Sequence, residues 1–179
     1  GAFGAVYLAY DSVAGIQVAL KSIPRVVTSH SDALELTRRN FSLVTHLSHP
    51  NITTIRHLHE AVDVDDDARG FMGVNPGDYL IVMDVAQGMT LNKLRRQYKR
   101  AHLPLGTALT ICRQVATALD YAHGQNIIHR DIKPGNIVVN DNLHAEVLDF
   151  GLAASIEESV AKYSRELQKI CGTKQYMAP

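Results

Sequence analysis

The sequence predicts an α+β fold in two lobes, with strands and one helix before about residue 88 and mainly helix after it. Three observations carry that expectation. Apolar residues alternate with period two in several short runs up to Val85, and the period lengthens to 3.6 after Gly88. The 179 residues are 46% hydrophobic and 20% charged, enough for a packed core and outside the range of a disordered chain. The most strongly apolar run, Tyr79 to Met83, stops at Asp84, far short of the roughly 20 residues that span a bilayer.

In chain order, Ala2 to Gln17 alternates as a hairpin with its turn near Asp11 to Gly15. Gln17 to Lys21 is a short strand that Pro24 terminates. Ser31 or Asp32 can cap a helix to about Leu47, with Leu36, Asn40, Leu43 and Leu47 along one face. After the break at His49-Pro50-Asn51 come two strands, Ile52 to Leu58 and Asp78 to Val85, separated by an acidic loop. Thr90 to Ala101 reads as a short basic helix. Leu105 to His123 is a longer one, with Leu105, Leu109, Cys112, Ala116, Leu119 and Ala122 inward and Gly124 as cap. Short apolar segments follow at Ile127-Ile128, Ile137 to Val139 and Glu146 to Leu148.

Several function classes are excluded by composition. Eighteen Lys+Arg balance eighteen Asp+Glu, so no whole-molecule field draws nucleic acid or an anionic membrane. No nucleic-acid partner and no membrane contact within this segment are expected, and the oligomeric state stays open. Cys112 and Cys171 are too few for a disulfide framework, which favours a reducing, cytoplasmic setting, and no signal-peptide pattern opens the chain. Asp63, Asp65 and Asp67 resemble the start of a calcium loop, but Ala68 and Val74 stand where Gly and a bidentate Glu are required. The histidines lack metal spacing, and Lys93 to Arg100 reads as a solvated basic face.

The chemistry is concentrated in His129-Arg130-Asp131-Ile132-Lys133-Pro134-Gly135-Asn136, followed by Asp149-Phe150-Gly151. Upstream stand Gly1-Ala2-Phe3-Gly4-Ala5-Val6 and Val18-Ala19-Leu20-Lys21, and downstream Gly172-Thr173-Lys174-Gln175-Tyr176-Met177-Ala178-Pro179. In this order and spacing the chain resembles a eukaryotic-type protein serine/threonine kinase catalytic domain over essentially its whole length. The resemblance implies a bilobal protein-kinase-like fold. Residues 1–83 would form an N-terminal antiparallel β-sheet lobe with one helix, 84–88 a hinge, and 89–179 the first part of a mainly helical C-terminal lobe, the domain being cut at both ends.

Phosphoryl transfer depends mostly on positioning and charge neutralisation rather than covalent help. The resemblance implies that Asp131 orients a substrate hydroxyl and accepts its proton. Lys133 would set a cation against the transferred group, as in kinases that act on Ser/Thr of a protein substrate. Asn136 and Asp149 offer hard oxygens for Mg²⁺ shared with ATP. Lys21 would pair the α- and β-phosphates, and Gly1, Ala2, Phe3 and Gly4 would lay bare backbone over the phosphates. Val6, Ala19 and Val138 would surround adenine, with Met83 as gatekeeper and Asp84 to Ala86 presenting backbone groups to it. Thr173 would hydrogen-bond beside Asp131 and Lys133.

The pattern departs in one place: counting back from Pro50, Asn40 stands where such kinases carry the glutamate that pairs the lysine, and Glu35 lies on another face. An amide can hydrogen-bond Lys21 but cannot neutralise it. This motivates an alternative, a pseudokinase or nucleotide-binding scaffold with weak or no transfer. A small-molecule phosphotransferase is disfavoured by Lys133 and the Gly172 to Pro179 segment. The resemblance implies that Arg130 can receive a phosphate on the activation segment. Among Ser155, Ser159, Ser164 and Thr173, Ser164 is the expected acceptor, in a modulatory role, because Glu166 already offers an anion and Lys169 would repel Arg130.

Overall fold

The computed structural model describes residues 6–23, 41–99, 102–150 and 173–176. They divide into two compact units, the first holding 6–23, 41–45 and 54–85 and the second 46–53, 86–99, 102–150 and 173–176. The stretch 46–53 thus departs from the lobe expected over 1–83. Its backbone is bonded to the second unit: Val147 N–H donates to Asn51 O (2.9 Å), and Thr53 N–H donates to Val147 O (3.1 Å).

The first unit is a four-stranded antiparallel sheet of β1 (Val6–Asp11), β2 (Ile16–Ile23), β3 (Ile55–Glu60) and β4 (Tyr79–Met83), in the spatial order β1-β2-β4-β3. Asp11 builds the first hairpin turn by accepting the Val13 and Ala14 N–H groups on Oδ1, both at 2.9 Å. Those bonds, Ala14 first, hold its carboxyl below the usual range. Gly15 closes the turn at φ +69°, a conformation that suits glycine. Val18, Ile23 and Ile81 are almost fully buried and form the core of the sheet.

Strand β3 starts at Ile55 and not at the expected Ile52, because Ile52 makes a parallel bridge to Val147 in the second unit. Residues 41–44 are helical, while 31–40 of the expected helix, Asn40 included, lie outside the described residues. Phe41, Val44 and Leu47 are buried and Leu43 is 51% exposed, so Leu43 does not lie on the inner face.

In the second unit β5 (Met89–Thr90), β6 (Ile137–Val139) and β7 (Ala145–Val147) form an antiparallel sheet in that order. Gly88 enters it at φ +117°, and a Cβ there would lie 2.2 Å from the Val139 carbonyl oxygen. Only glycine fits so close an approach. Thr90 caps α1 (Leu91–Arg96) by accepting the Lys93 N–H at 3.4 Å. The helix ends earlier than the expected Ala101, in tight turns from Gln97 to Leu94 O and from Tyr98 to Arg95 O.

Helix α2 (Leu105–Gly124) buries Ile111, Val115, Ala118 and Ala122. The expected inner stripe shares only Ala122 with this face: Leu105 is 75% and Leu109 61% exposed, and Cys112 is exposed. Both stripes have helical spacing, and period alone does not say which one meets the sheet. The C-terminus differs as well. Gly124 is the last helical residue, and Asn126 takes the left-handed position at φ +59°. Ile127-Ile128 forms no strand. Gln114 ties α2 to β7 through polar atoms, its Nε2 donating to Leu143 O (2.7 Å) and its Oε1 accepting from Ala145 N and Asn51 Nδ2 (both 2.9 Å). Among the described residues no helix is long and apolar enough to cross a membrane.

Candidate active site

Residues 125–136 connect α2 to β6, and the loop keeps its shape through one residue of the next segment, Leu148. Leu148 N–H donates to Asn136 O (2.9 Å), and Leu148 O accepts from His129 Nε2 (2.8 Å). The two strands of loop are thereby clamped on both sides of Leu148. A donating Nε2 leaves His129 Nδ1 as an acceptor, and it takes the Asp131 N–H at 3.2 Å. His129 is 2% exposed and meets the buried Phe150 ring edge-on at 4.7 Å. Burial pushes its imidazole below the ordinary 6.5, so it serves as a neutral strut.

The sequence motif includes His129 but gives it no role of its own. Its signal was a histidine between an apolar pair and a polar loop, a pattern that fits many core histidines. Arg130 and Asp149 sit at φ +67° and +61°, two of four non-glycine residues in that region among those described. Such positions cost on the order of 1–3 kcal/mol and persist where surrounding contacts over-determine them, as the Leu148 clamp does.

Asp131 gathers most of the polar contacts. Its Oδ2 accepts from Lys133 Nζ (2.5 Å) and Asn136 Nδ2 (3.1 Å), and its Oδ1 accepts from Thr173 Oγ1 (2.7 Å) and Thr173 N (3.0 Å). Lys133 Nζ also donates to Thr173 Oγ1 at 2.9 Å. Burial alone would raise the Asp131 pKa, but the Lys133 ammonium, the Thr173 hydroxyl and the Asn136 amide together hold it below the ordinary carboxylate value. The group is an ionised carboxylate, restrained on both oxygens.

Asn136 closes the tight turn Pro134–Asn136 and donates from Nδ2 to Asp131, to the backbone O (2.9 Å) and to Oδ2. Its Oδ1, a hard oxygen, stands outside those bonds. Asp149 follows directly on Leu148, which is bonded to Asn136. Among the described residues no three His, Cys, Asp or Glu side chains form a metal-holding group. One amide oxygen and one carboxylate from adjoining loops fit an ion such as Mg²⁺, which keeps most of its shell for water and phosphate.

The remaining sequence-selected residues fall in both units. In the first, Val6 pairs with Lys21, Lys21 with Ile81, and Ala19 with Met83 across the antiparallel ladder, so Val6, Ala19, Lys21 and Met83 share one sheet face. Lys21 is 8% exposed and Met83 5%, while Val6 is open at 56%. Asp84 follows β4, its N–H donating to Thr54 O at 2.9 Å. In the second unit Ala86 is half-buried and Val138 is buried within β6. Gly1, Ala2, Phe3, Gly4, Gly151, Ser155, Ser159, Ser164, Glu166 and Lys169 lie outside the described residues.

Comparison with known proteins shows the family. The protein kinase domain family matches residues 1–179. The chain is 31% identical over 181 residues to serine/threonine-protein kinase PrkC of Bacillus subtilis, covering 100% of this chain and 25% of that protein. It is 30% identical to the interferon-induced, double-stranded RNA-activated protein kinase of Rattus norvegicus, spanning 34% of it. Among solved structures, the Mycobacterium tuberculosis PknI kinase domain superposes with a TM-score of 0.67 at 28% identity, over 86% of this chain and 56% of that one. The chain therefore spans between 25% and 38% of the length of such curated relatives, and with a family match from end to end it belongs to the protein kinase domain family.

Proposed function

We propose that this chain is the nucleotide-binding and catalytic part of a protein serine/threonine kinase. The observation that carries the reading is the Asp131 carboxylate held by Lys133, Thr173 and Asn136. ATP is the co-substrate that membership of the family implies. Asp131 aligns a substrate Ser or Thr hydroxyl and takes its proton as the oxygen bonds to the γ-phosphorus, and the bond from that phosphorus to the β–γ bridging oxygen breaks to release ADP. Lys133 lies beside the same carboxylate and neutralises charge on the group in flight. Asn136 and Asp149 would hold Mg²⁺, which when bound neutralises the nucleotide phosphates. Lys21, on the sheet face shared with Val6, Ala19 and Met83, would pair phosphate oxygens, and the three apolar residues would receive the base. A cytoplasmic location suits an ATP-consuming chain whose cysteines have neither disulfide nor metal spacing.

The scaffold alternative is less favoured, since the relatives that match the whole chain are named as protein kinases. The discriminating test is ATP turnover on a generic Ser/Thr substrate by the full-length protein, wild type against Asp131→Asn. Transfer should fall by about 10² or more, the usual loss for a positioned general base. Equal rates in the two proteins would overturn the assignment.

A further inference from the structure

We propose that Arg56 is a positioning residue for nucleotide recognition, acting through Asp84 and not through the nucleotide itself. The inference rests on the ATP reading above. Strands β3 and β4 pair Ile55 with Met83 and then His57 with Val82, so Arg56 is the extra residue of a β-bulge. A bulge breaks the ladder locally and re-aims one side chain. Here the re-aimed side chain is Arg56, whose Nε donates to Asp84 Oδ1.

Asp84 is the residue directly after Met83, the last of β4, and the first unit ends one residue later. Its N–H is taken by Thr54 O at 2.9 Å and its carboxylate by Arg56. Its carbonyl stands outside both bonds and is an acceptor suited to the exocyclic amine of adenine. Two anchors, one on the backbone and one on the side chain, hold this peptide where the strand runs out and no further ladder bonds would steady it.

A role in plain stability does not account for the arrangement. Both side chains are 38% exposed, and pairs in that setting contribute little to folding while being weakened by salt. The sheet gives up a ladder position for a bond of small thermodynamic value. Orienting the Asp84 peptide gives that bond a function in binding, because a preorganised acceptor lowers the ordering cost that an incoming base would otherwise meet.

The test uses the full-length protein as wild type, Arg56→Ala, Arg56→Lys, Asp84→Ala and the double variant, with ADP affinity measured by calorimetry beside KM for ATP and kcat. At about 0.05 M salt, Arg56→Ala should weaken ADP binding and raise KM for ATP about two- to fivefold, as a half-exposed pair allows, with kcat unchanged. The gap should narrow at about 0.5 M salt. Arg56→Lys should retain part of the affinity, and Arg56→Ala should add nothing in the Asp84→Ala background. ADP affinity in Arg56→Ala equal to wild type, or a loss independent of Asp84, overturns the inference and leaves the kinase reading intact. A wild type that binds no ADP overturns the kinase reading and this inference with it. Should Arg56→Ala fail to fold, Arg56→Gln supplies the same comparison without the charge, and affinity equal to wild type again overturns the inference.

Discussion

His129 shows how one buried side chain organises reacting groups it never touches through a ligand. Its neutral ring receives the Asp131 N–H and donates to Leu148 O, so both the carboxylate that would accept a proton and the segment leading to Asp149 depend on one tautomer. Protonation would turn the accepting Nδ1 into a donor facing an N–H. Its folded pKa lies below the ordinary 6.5, so the unfolded chain binds the proton first, and stability present above that value is lost as pH falls beneath it. Unfolding free energy measured by denaturant titration should therefore drop more steeply between about pH 7 and pH 5 in wild type than in His129→Gln. Parallel pH profiles would refute the strut. Asp131 has the same sign in a lower window: its depressed pKa lends stability above the unfolded value of 3.8, lost as pH falls through the folded one.

At the scale of elements, the second unit is assembled by close backbone approach as much as by apolar faces. Gly88 lets β5 run against β6, and an added methyl would meet the Val139 carbonyl oxygen at 2.2 Å and its carbon at 2.6 Å. Both are backbone atoms, which cannot rotate away as a side chain would. Gly88→Ala combines this clash with a φ that L-residues avoid, and should cost about 2 kcal/mol or more of stability. An unchanged denaturation midpoint would show that β6 yields freely. Asn51 works at the same level, its Nδ2 bridging Gln114 Oε1 (2.9 Å) and Ala145 O (2.8 Å) to fasten 46–53 beside β7. These two bonds explain how a stretch early in the chain comes to belong with later elements.

Over the whole molecule, the ligand roles proposed for Asn136 and Asp149 predict that transfer depends on a divalent cation. Chelation should reduce ATP turnover to background and added Mg²⁺ should restore it, while Asn136→Ala raises the Mg²⁺ concentration needed for half the maximal rate. Turnover that persists in excess chelator would exclude the proposed ligand role. How far the chain could be read without coordinates follows from what each feature depends on. The family was legible in the loop from His129 to Asn136, the Asp149 segment and Lys21, because phosphoryl transfer demands particular residue types at short spacings. The antiparallel strands and the change of period near Gly88 were legible because pleat and helix impose periods of 2 and 3.6 on any buried face. Tertiary structure alone decided the rest. Helix α2 carries two apolar stripes, and only packing on β7 selected Ile111, Val115, Ala118 and Ala122 over Leu105, Leu109 and Cys112. The bulge that turns Arg56 toward Asp84, the His129 clamp on Leu148 and the transfer of 46–53 to the second unit all join residues far apart in sequence. Local propensity says nothing about such pairs, because their energy exists only once the chain has brought them together.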